Sequence, residues 1–455
     1  MRRTHVLAVP YPLQGHVIPL MELSKRLVQQ GFIRVTFVNT EHNHKRVLNA
    51  LTEKDDLGEI TLVSIPDGLQ PSEDRNDLAK LAKATFQVVP GELEELINRI
   101  NANSSEDEKI KCLIADWGMG WVFEVSEKMK IRRAAFWTPP AAILTPIISI
   151  QKLIDDQVID NDGTPLNNEI IQLAPGLPTM NTTNFLWCCL HDLNRQKFVF
   201  NRVIEIDKAL KETDFILCNS AYDLEPGAFS FDPRLVPIGP LLASNRLGES
   251  GGSFWEEDSS CLKWLDQQPP KSVIYVAFGS LTVFDRAQFQ ELALGLELTR
   301  RPFLWVVRPD ITKEENAFPE GFKERVKNLG RMVDWTPQQK VLAHPSIACF
   351  LTHCGWNSTM EGVGNGVPLL CWPNFADQFM NETYICDVWK VGLKFDKDKQ
   401  GIITRDEIRN KVEEVFTDEK LKERSSELKE TAIESVGEGG YSHKSLRNFM
   451  EWFKG

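Results

Sequence analysis

The sequence predicts an α/β protein made of two doubly wound parallel-sheet domains, and three observations lead there. Short, near-continuous runs of Val, Ile, Leu and Phe recur along the chain, the pattern of strands buried on both faces. Helix-length amphipathic segments separate them, and the whole alternation occurs twice over. Between the two sets lies ASNRLGESGGSFWEEDSS, rich in Gly, Ser and acidic residues and without apolar periodicity, which reads as a linker. A chain of 455 residues is long enough for two domains, each with its own core. The boundaries this implies are a first domain over 1–242, a linker over 243–258 and a second domain over 259–435. A closing helix over 436–455 carries aromatic residues that suit packing back onto the first domain.

Taken in order, the first set of strand runs is HVLAVP, RVTFVNT, ITLVSIP, IKCLIAD, RRAAFWT, DFILCNS and LVPIGPL. The second is SVIYVAFGS, FLWVVRP, RMVDW, IACFLTH, VPLLCWP and VGLKF. In the opening stretch, Val6 to Val9 reads as a buried strand and Val17 to Leu27 as an amphipathic helix, with Gln14, Gly15 and His16 in the turn between them. A nucleotide-binding turn at that place would be rich in glycine, so that backbone amides could approach a phosphate. The segment Ala134 to Ile150 is apolar, but it is shorter than the ~20 residues of a membrane span and broken by prolines. It reads as a strand, a turn and a core helix.

Composition narrows the class of function. The net charge is −12 with acidic residues scattered, which argues against nucleic acid or anionic membranes as partners, since both select basic patches. Nine cysteines with no C-x-x-C pair fit a reducing, cytoplasmic setting. The basic N-terminus lacks the unbroken apolar run of a signal peptide.

The chemistry concentrates in FLTHCGWNSTMEGVGNGVPLLCWP. A strand should end at His353 and a helix start near Asn357, closed by Gly362 to Gly366. The free amides of that helix start, with the hydroxyls of Ser358 and Thr359 beside them, form an anion site suited to a diphosphate. Ser358 and Glu361 have the spacing of a capping box, and on spacing alone the two readings stand level.

The run WTPQQKVLAHPSIACFLTHCGWNSTMEGVGNGVPLLCWPNFADQ, Trp335 to Gln378, resembles the signature box of plant family 1 UDP-dependent glycosyltransferases, the secondary-product glucosyltransferases of the GT-B fold. The Q-G-H turn, the AFGS run and the closing helix extend the likeness over most of the chain. The resemblance implies two Rossmann-like domains facing across a cleft, and an enzyme, a hexosyltransferase using UDP-glucose. It implies that Trp335 stacks on uracil, that Glu361 accepts the ribose hydroxyls, and that Thr336 and Gln338 also serve the UDP. His353, Asn357, Ser358 and Ser280 would hold the phosphates, while Thr138, Trp356, Asp377 and Gln378 would contact the sugar. Gln378 resembles the glucose-using members. Thr336 stands where cysteine or alanine is common, at a contact expected through the backbone.

The resemblance also gives His16 a role as the base that deprotonates the acceptor hydroxyl. A helix N-terminus disfavours imidazolium, which suits a ring that must take up a proton. Asp116, at another strand end, would orient that ring and stabilise the charge it gains; as a bare residue it could equally be a helix N-cap. The acceptor oxygen would then attack the anomeric carbon opposite UDP, with inversion and without a metal or other cofactor. The acceptor pocket is expected among Trp117, Met119, Trp121, Phe136, Phe185 and Trp187, a lining suited to a flavonoid or other phenolic. It would also suit a terpenoid or steroid, and a carboxylate acceptor is a further alternative.

Two other functions compete. A nicotinamide-dependent oxidoreductase would need G-x-G-x-x-G after the first strand, which Gln14-Gly15-His16 does not supply. A non-catalytic UDP-sugar or small-molecule binding protein would have no use for His16 with Asp116. The run DKDKQGIITRDE, Asp396 to Glu407, nearly fits a calcium loop, but Gln400 is a poor ligand and a strand precedes it. Thr404 with Glu407 is better explained as a capping box. The partners expected are therefore a UDP-sugar and a small hydrophobic acceptor, bound by a monomer.

Overall fold

The computed structural model describes residues 3–51, 57–188, 192–241, 253–255, 257–312 and 317–452. These fall into two compact units, one holding 3–241, 253–255 and 434–452, the other 257–433. Most of the linker expected over 243–258 lies outside the described residues.

The first unit is built on a seven-stranded sheet with the order β3-β2-β1-β4-β5-β8-β9. Its strands are β1 (Thr4–Val9), β2 (Ile33–Thr40), β3 (Ile60–Ile65), β4 (Ile110–Asp116), β5 (Arg132–Trp137), β8 (Phe215–Cys218) and β9 (Leu235–Pro237). All its pairings are parallel, and each strand falls on one of the seven apolar runs of the first set. A two-residue antiparallel ladder, β6 (Ile170–Ile171) with β7 (Met180–Asn181), lies apart from it. No apolar run announces this ladder, which is too short to carry a pattern.

The helix after β1 spans Gln14–Val28 and so starts earlier than its apolar stripe suggests. Val17, Leu20, Met21 and Leu27 are buried along one face, at the spacing of an amphipathic helix. Lys25 and Arg26 in the last turn complement the helix dipole. The segment 134–150 forms the end of β5, a single 3₁₀ turn at Ala141–Ile143 and the helix Leu144–Ile148. No helix among the described residues is long and apolar enough to cross a membrane.

The closing helix, Tyr441–Trp452, packs on this unit. Leu446, Phe449 and Met450 join the core formed by Val6, Ala8, Leu20, Val35, Phe37 and Phe136. Phe215 of β8 meets the rings of Phe449 and Trp452 at 5.6 and 5.0 Å between centroids. The Arg132 guanidinium lies 5.3 Å from the Trp452 ring centre.

The second unit holds a six-stranded sheet of order β12-β11-β10-β13-β14-β15, again all parallel. Its strands are β10 (Val273–Ala277), β11 (Phe303–Val306), β12 (Gly330–Val333), β13 (Ile347–Thr352), β14 (Leu369–Cys371) and β15 (Gly392–Lys394). Separate apolar clusters cover the two faces of this sheet. The calcium-like run after β15 is a tight turn. Asp398 Oδ1 accepts the amides of Gln400 and Ile402, and Gly401 has φ +82°. Thr404 caps the helix Arg405–Thr417 by accepting the Glu407 amide, but the Glu407 carboxylate returns to the amide of Asp396, so the capping box is only half formed. Every cysteine among the described residues is a free thiol.

Replacing Phe449 by Ala would empty a ring's volume from the first unit's core. The expected loss is about 3–5 kcal/mol, read as a lower midpoint in chemical denaturation of that unit.

Candidate active site

Both sheets reverse their strand order between the first strand and the fourth, and in open α/β sheets ligands gather beyond the strand ends at such a point. In the first unit this is the β1–β4 boundary, where Val9 pairs with Ala115. The chain leaving β1 enters the helix Gln14–Val28, which puts His16 in its first turn. The last residue of β4 is Asp116. His16 Nδ1 lies 2.8 Å from Asp116 Oδ2.

Asp116 is fully buried. Its other oxygen accepts the amide of Gly118 at 2.9 Å, capping a single turn at Trp117–Met119. The carboxylate is therefore cap and histidine partner at once, one oxygen for each. Because a carboxylate only accepts, Nδ1 carries the hydrogen and Nε2 is the basic nitrogen. The Thr138 hydroxyl lies 3.3 Å from Nδ1 and receives the Trp117 indole N–H at 3.1 Å. Tyr11 and Trp117 flank the imidazole at 5.4 and 6.3 Å between ring centres. Burial, then the charge of Asp116, push the Tyr11 phenol up to about 12, so it stays protonated beside the histidine.

In the second unit the corresponding boundary is β10–β13, where Ala277 pairs with Thr352. The loop after β10 carries Gly279 and Ser280, and the turn after β13 carries His353 to Gly355. The His353 ring is wedged between two glycines: a Cβ at Gly279 would lie 2.6 Å from Nε2 and one at Gly355 only 2.4 Å. Gly279 also has φ +64°. Burial, with a smaller push from Arg308, holds His353 down to about 4. It is neutral near pH 7 in the unliganded protein, and offers a dipole rather than a charge.

The helix beyond spans Trp356–Asn365, with Gly355 as N-cap and Gly366 closing it in a left-handed conformation. Ser358 therefore sits inside the first turn and Glu361 in the helix body. The capping-box reading fails, because the N-cap is three residues earlier than that box requires. Gln338 joins the two side chains, its Nε2 donating to Ser358 Oγ at 2.9 Å and to Glu361 Oε2. Trp335, half-buried, occupies the loop just before this glutamine.

Other expected residues stand differently. Thr359 is fully enclosed, so its hydroxyl is not presented at the helix start. The indole of Trp356 is buried against Trp389, leaving its backbone amide at the mouth. Gln378 turns its Oε1 inward to the amides of Asn374 and Phe375 at 2.8 and 3.2 Å, so Nε2 is the group it can offer a ligand. Asp377 receives Asn381 Nδ2 at 2.8 Å, and that amide also ties down the Cys354 carbonyl. Asn357 and Ser280 remain partly exposed.

The expected acceptor lining is corrected more heavily. Phe136, Phe185 and Trp187 have no exposed surface. Phe136 belongs to the sheet core, Phe185 stacks on Trp187 at 4.8 Å, and the Trp187 N–H is spent on the Gly163 carbonyl. Met119 is buried as well. Of that set, Trp117 keeps appreciable exposure and Trp121 a trace. Tyr11 belongs beside His16, and no motif singled it out.

Arg308 also escaped the sequence reading. It is buried, and it donates to the carbonyls of Gly279 and Thr282 and to Asp310. It thereby pins the loop bearing Ser280. An arginine two residues beyond a strand end, in the run FLWVVRP, was the available signal.

Residues 253–432 match the family model described as UDP-glucoronosyl and UDP-glucosyl transferase. The chain is 46% identical to UDP-glycosyltransferase 83A1 of Arabidopsis thaliana, covering all of this chain and 97% of that protein. It belongs to the plant UDP-glycosyltransferases. Linamarin synthase 1 of Manihot esculenta is 35% identical over 98% of this chain and 96% of its own. The structure of Phytolacca americana UGT2 with UDP-2fluoro-glucose and pterostilbene superposes with a TM-score of 0.82 at 29% identity, covering 99% of each chain. The fold of this UDP-glycosyltransferase is thus GT-B, and the chain is an enzyme. The reading as a non-catalytic binding protein is overturned by relatives named for transfer and synthesis.

Because His353 is held near 4 against an ordinary 6.5, the unfolded chain takes up a proton that the folded one refuses between those values. Stability contributed at this site is whole above pH 6.5 and is lost as pH falls toward 4. Denaturation midpoints measured across that range should fall less steeply in His353→Gln than in the wild-type enzyme.

Proposed function

We propose that this UDP-glycosyltransferase is an inverting glucosyltransferase, moving glucose from UDP-glucose to a hydroxyl of a small hydrophobic acceptor, a flavonoid or another plant phenolic. The observation that carries the chemistry is the 2.8 Å bond between His16 and the fully buried Asp116. His16 Nε2 takes the acceptor proton, and Asp116 holds the ring and stabilises the imidazolium that forms. The oxygen attacks the anomeric carbon opposite UDP, and the configuration inverts.

Charge developing on the leaving diphosphate is met by the amides at the start of Trp356–Asn365, by the Ser358, Asn357 and Ser280 side chains and by the neutral His353. Trp335 stacks on uracil, and Glu361, with Gln338 beside it, binds the ribose. Asp377, Gln378 Nε2 and the Trp356 amide contact the sugar. These donors supply the compensation a metal would otherwise bring, so the reaction proceeds without one. Thr138, bonded into the His16 cluster, helps hold the base.

A phenolic acceptor is supported by the flat faces of Tyr11 and Trp117 beside the base. Pterostilbene in the Phytolacca americana complex is in keeping with it. A terpenoid, steroid or carboxylate acceptor is the second reading, favoured for the terpenoid class by the Gardenia jasminoides relative named 7-deoxyloganetin glucosyltransferase, whose 33% identity to this chain exceeds the 29% of the pterostilbene complex. The free thiols suit action in a reducing cytoplasm, where the enzyme works as a monomer.

His16→Ala should lower kcat by ~10²–10⁴-fold while UDP-glucose affinity changes little. Wild-type turnover in that variant would remove His16 from the mechanism. Mass spectrometry of a mixed panel of flavonoids, simple phenols, aromatic acids, triterpenes and steroids, incubated with UDP-glucose with and without a chelator, tests the rest. A hexose gain on phenolics alone, unchanged by chelator, is the expected result; gain on another class reassigns the acceptor.

A further inference from the structure

Behind the residues proposed for the nucleotide lie two buried hydroxyls, those of Tyr275 and Thr336, that the mechanism above does not use. Tyr275 of β10 is fully buried, its ring stacked 4.9 Å from Phe350. Its hydroxyl reaches Thr336 Oγ1 at 2.7 Å and Gln338 Oε1 at 3.0 Å. Gln338 Nε2 donates in turn to Ser358 Oγ and Glu361 Oε2.

The direction of every bond follows from one fact: the Glu361 carboxylate can only accept. Gln338 must turn its NH₂ toward it, since the flipped amide would set oxygen against oxygen. Gln338 Oε1 then faces Tyr275, which must donate to it. A phenol has one hydrogen, so the 2.7 Å bond between Tyr275 and Thr336 is filled by the Thr336 hydroxyl. The order is Thr336 to Tyr275 to Gln338, and from there to Ser358 and Glu361. Burial raises the Tyr275 phenol far above its ordinary range, so it is a donor at any working pH.

We infer that Tyr275 and Thr336 are positioning residues for the nucleotide, locking the Gln338 amide so that Glu361 is aimed at the ribose and Ser358 keeps its own hydrogen for an anion. This rests on the proposed reading of Glu361 as the ribose acceptor. Without the Thr336 hydroxyl, Tyr275 would lose that donor. The site is thus ordered by a side chain expected to act only through its backbone.

The test compares binding of UDP and 2′-deoxy-UDP by calorimetry in the full-length enzyme. Tyr275→Phe removes one oxygen, and Thr336→Val removes the hydroxyl while keeping the volume. Each should weaken UDP by roughly 3–10-fold, the scale of one hydrogen bond, and weaken 2′-deoxy-UDP less, so that the preference for the ribonucleotide shrinks. The loss should fall on KM for UDP-glucose more than on kcat. In a relay the double variant is no worse than Tyr275→Phe alone, since the residues act as a unit.

Glu361→Ala separates the two readings. If it abolishes the preference while Tyr275→Phe and Thr336→Val weaken both nucleotides equally or neither, the positioning role is wrong and the ribose role stands. If Glu361→Ala leaves the preference intact, the ribose role falls and the proposal falls with it. A Tyr275→Phe protein that does not fold leaves Thr336→Val to decide the question alone.

Discussion

The constraint on which this enzyme depends is the reversal of strand order at the centre of each sheet. In both units the first strand is flanked by the second and the fourth. The chain leaving the first strand crosses to one side and the chain leaving the fourth crosses to the other. Parallel strands oblige each connection to be a long crossover over a sheet face, so the two departing loops diverge and leave a gap at their carboxyl ends. His16 and Asp116 lie at one of those gaps, and Ser280, His353 and the helix start at Trp356 lie at the other.

The two gaps are furnished in opposite ways. The first holds a buried charge. A carboxylate with no exposed surface is costly unless it is fully engaged, and Asp116 is engaged by an amide on one oxygen and an imidazole on the other. That same engagement fixes the imidazole, because the ring cannot turn without orphaning the carboxylate. The second gap holds no such charge: it has backbone amides at a helix start, small residues that let a histidine ring lie against the main chain, and a histidine kept uncharged by burial.

Buried polar chains stiffen the second gap. Arg308 ties the carbonyls of Gly279 and Thr282, fixing the loop from the side of the sheet. Tyr275, Thr336 and Gln338 fix the other wall. Polar networks in a low-dielectric interior are stable only when every member is satisfied, so these side chains hold one arrangement rather than several.

Much of this was legible in the sequence, and for a plain reason. Strands buried on both faces are largely apolar, so the strands of the two parallel sheets stand out as short runs, and helix-length segments between them point to a doubly wound fold. Asp116 ends such a run and His353 follows one directly, at the carboxyl end where ligands gather, whereas His16 and Ser280 are singled out through the resemblance carried by the Q-G-H turn and the AFGS run. What tertiary structure alone decided was which side chains face a gap and which face a core. Phe136, Phe185 and Trp187 are aromatic residues near the right strand ends, yet packing enclosed them, and composition cannot tell a pocket wall from an interior. Ser358 with Glu361 had the spacing of a cap until the start of the helix, set by Gly355 and the turn before it, moved the register. Tyr275 and Gln338 lie 63 residues apart in the chain, and no local pattern links them. Their partnership is set by the distance between two strand ends, a quantity that exists only once the sheet has formed.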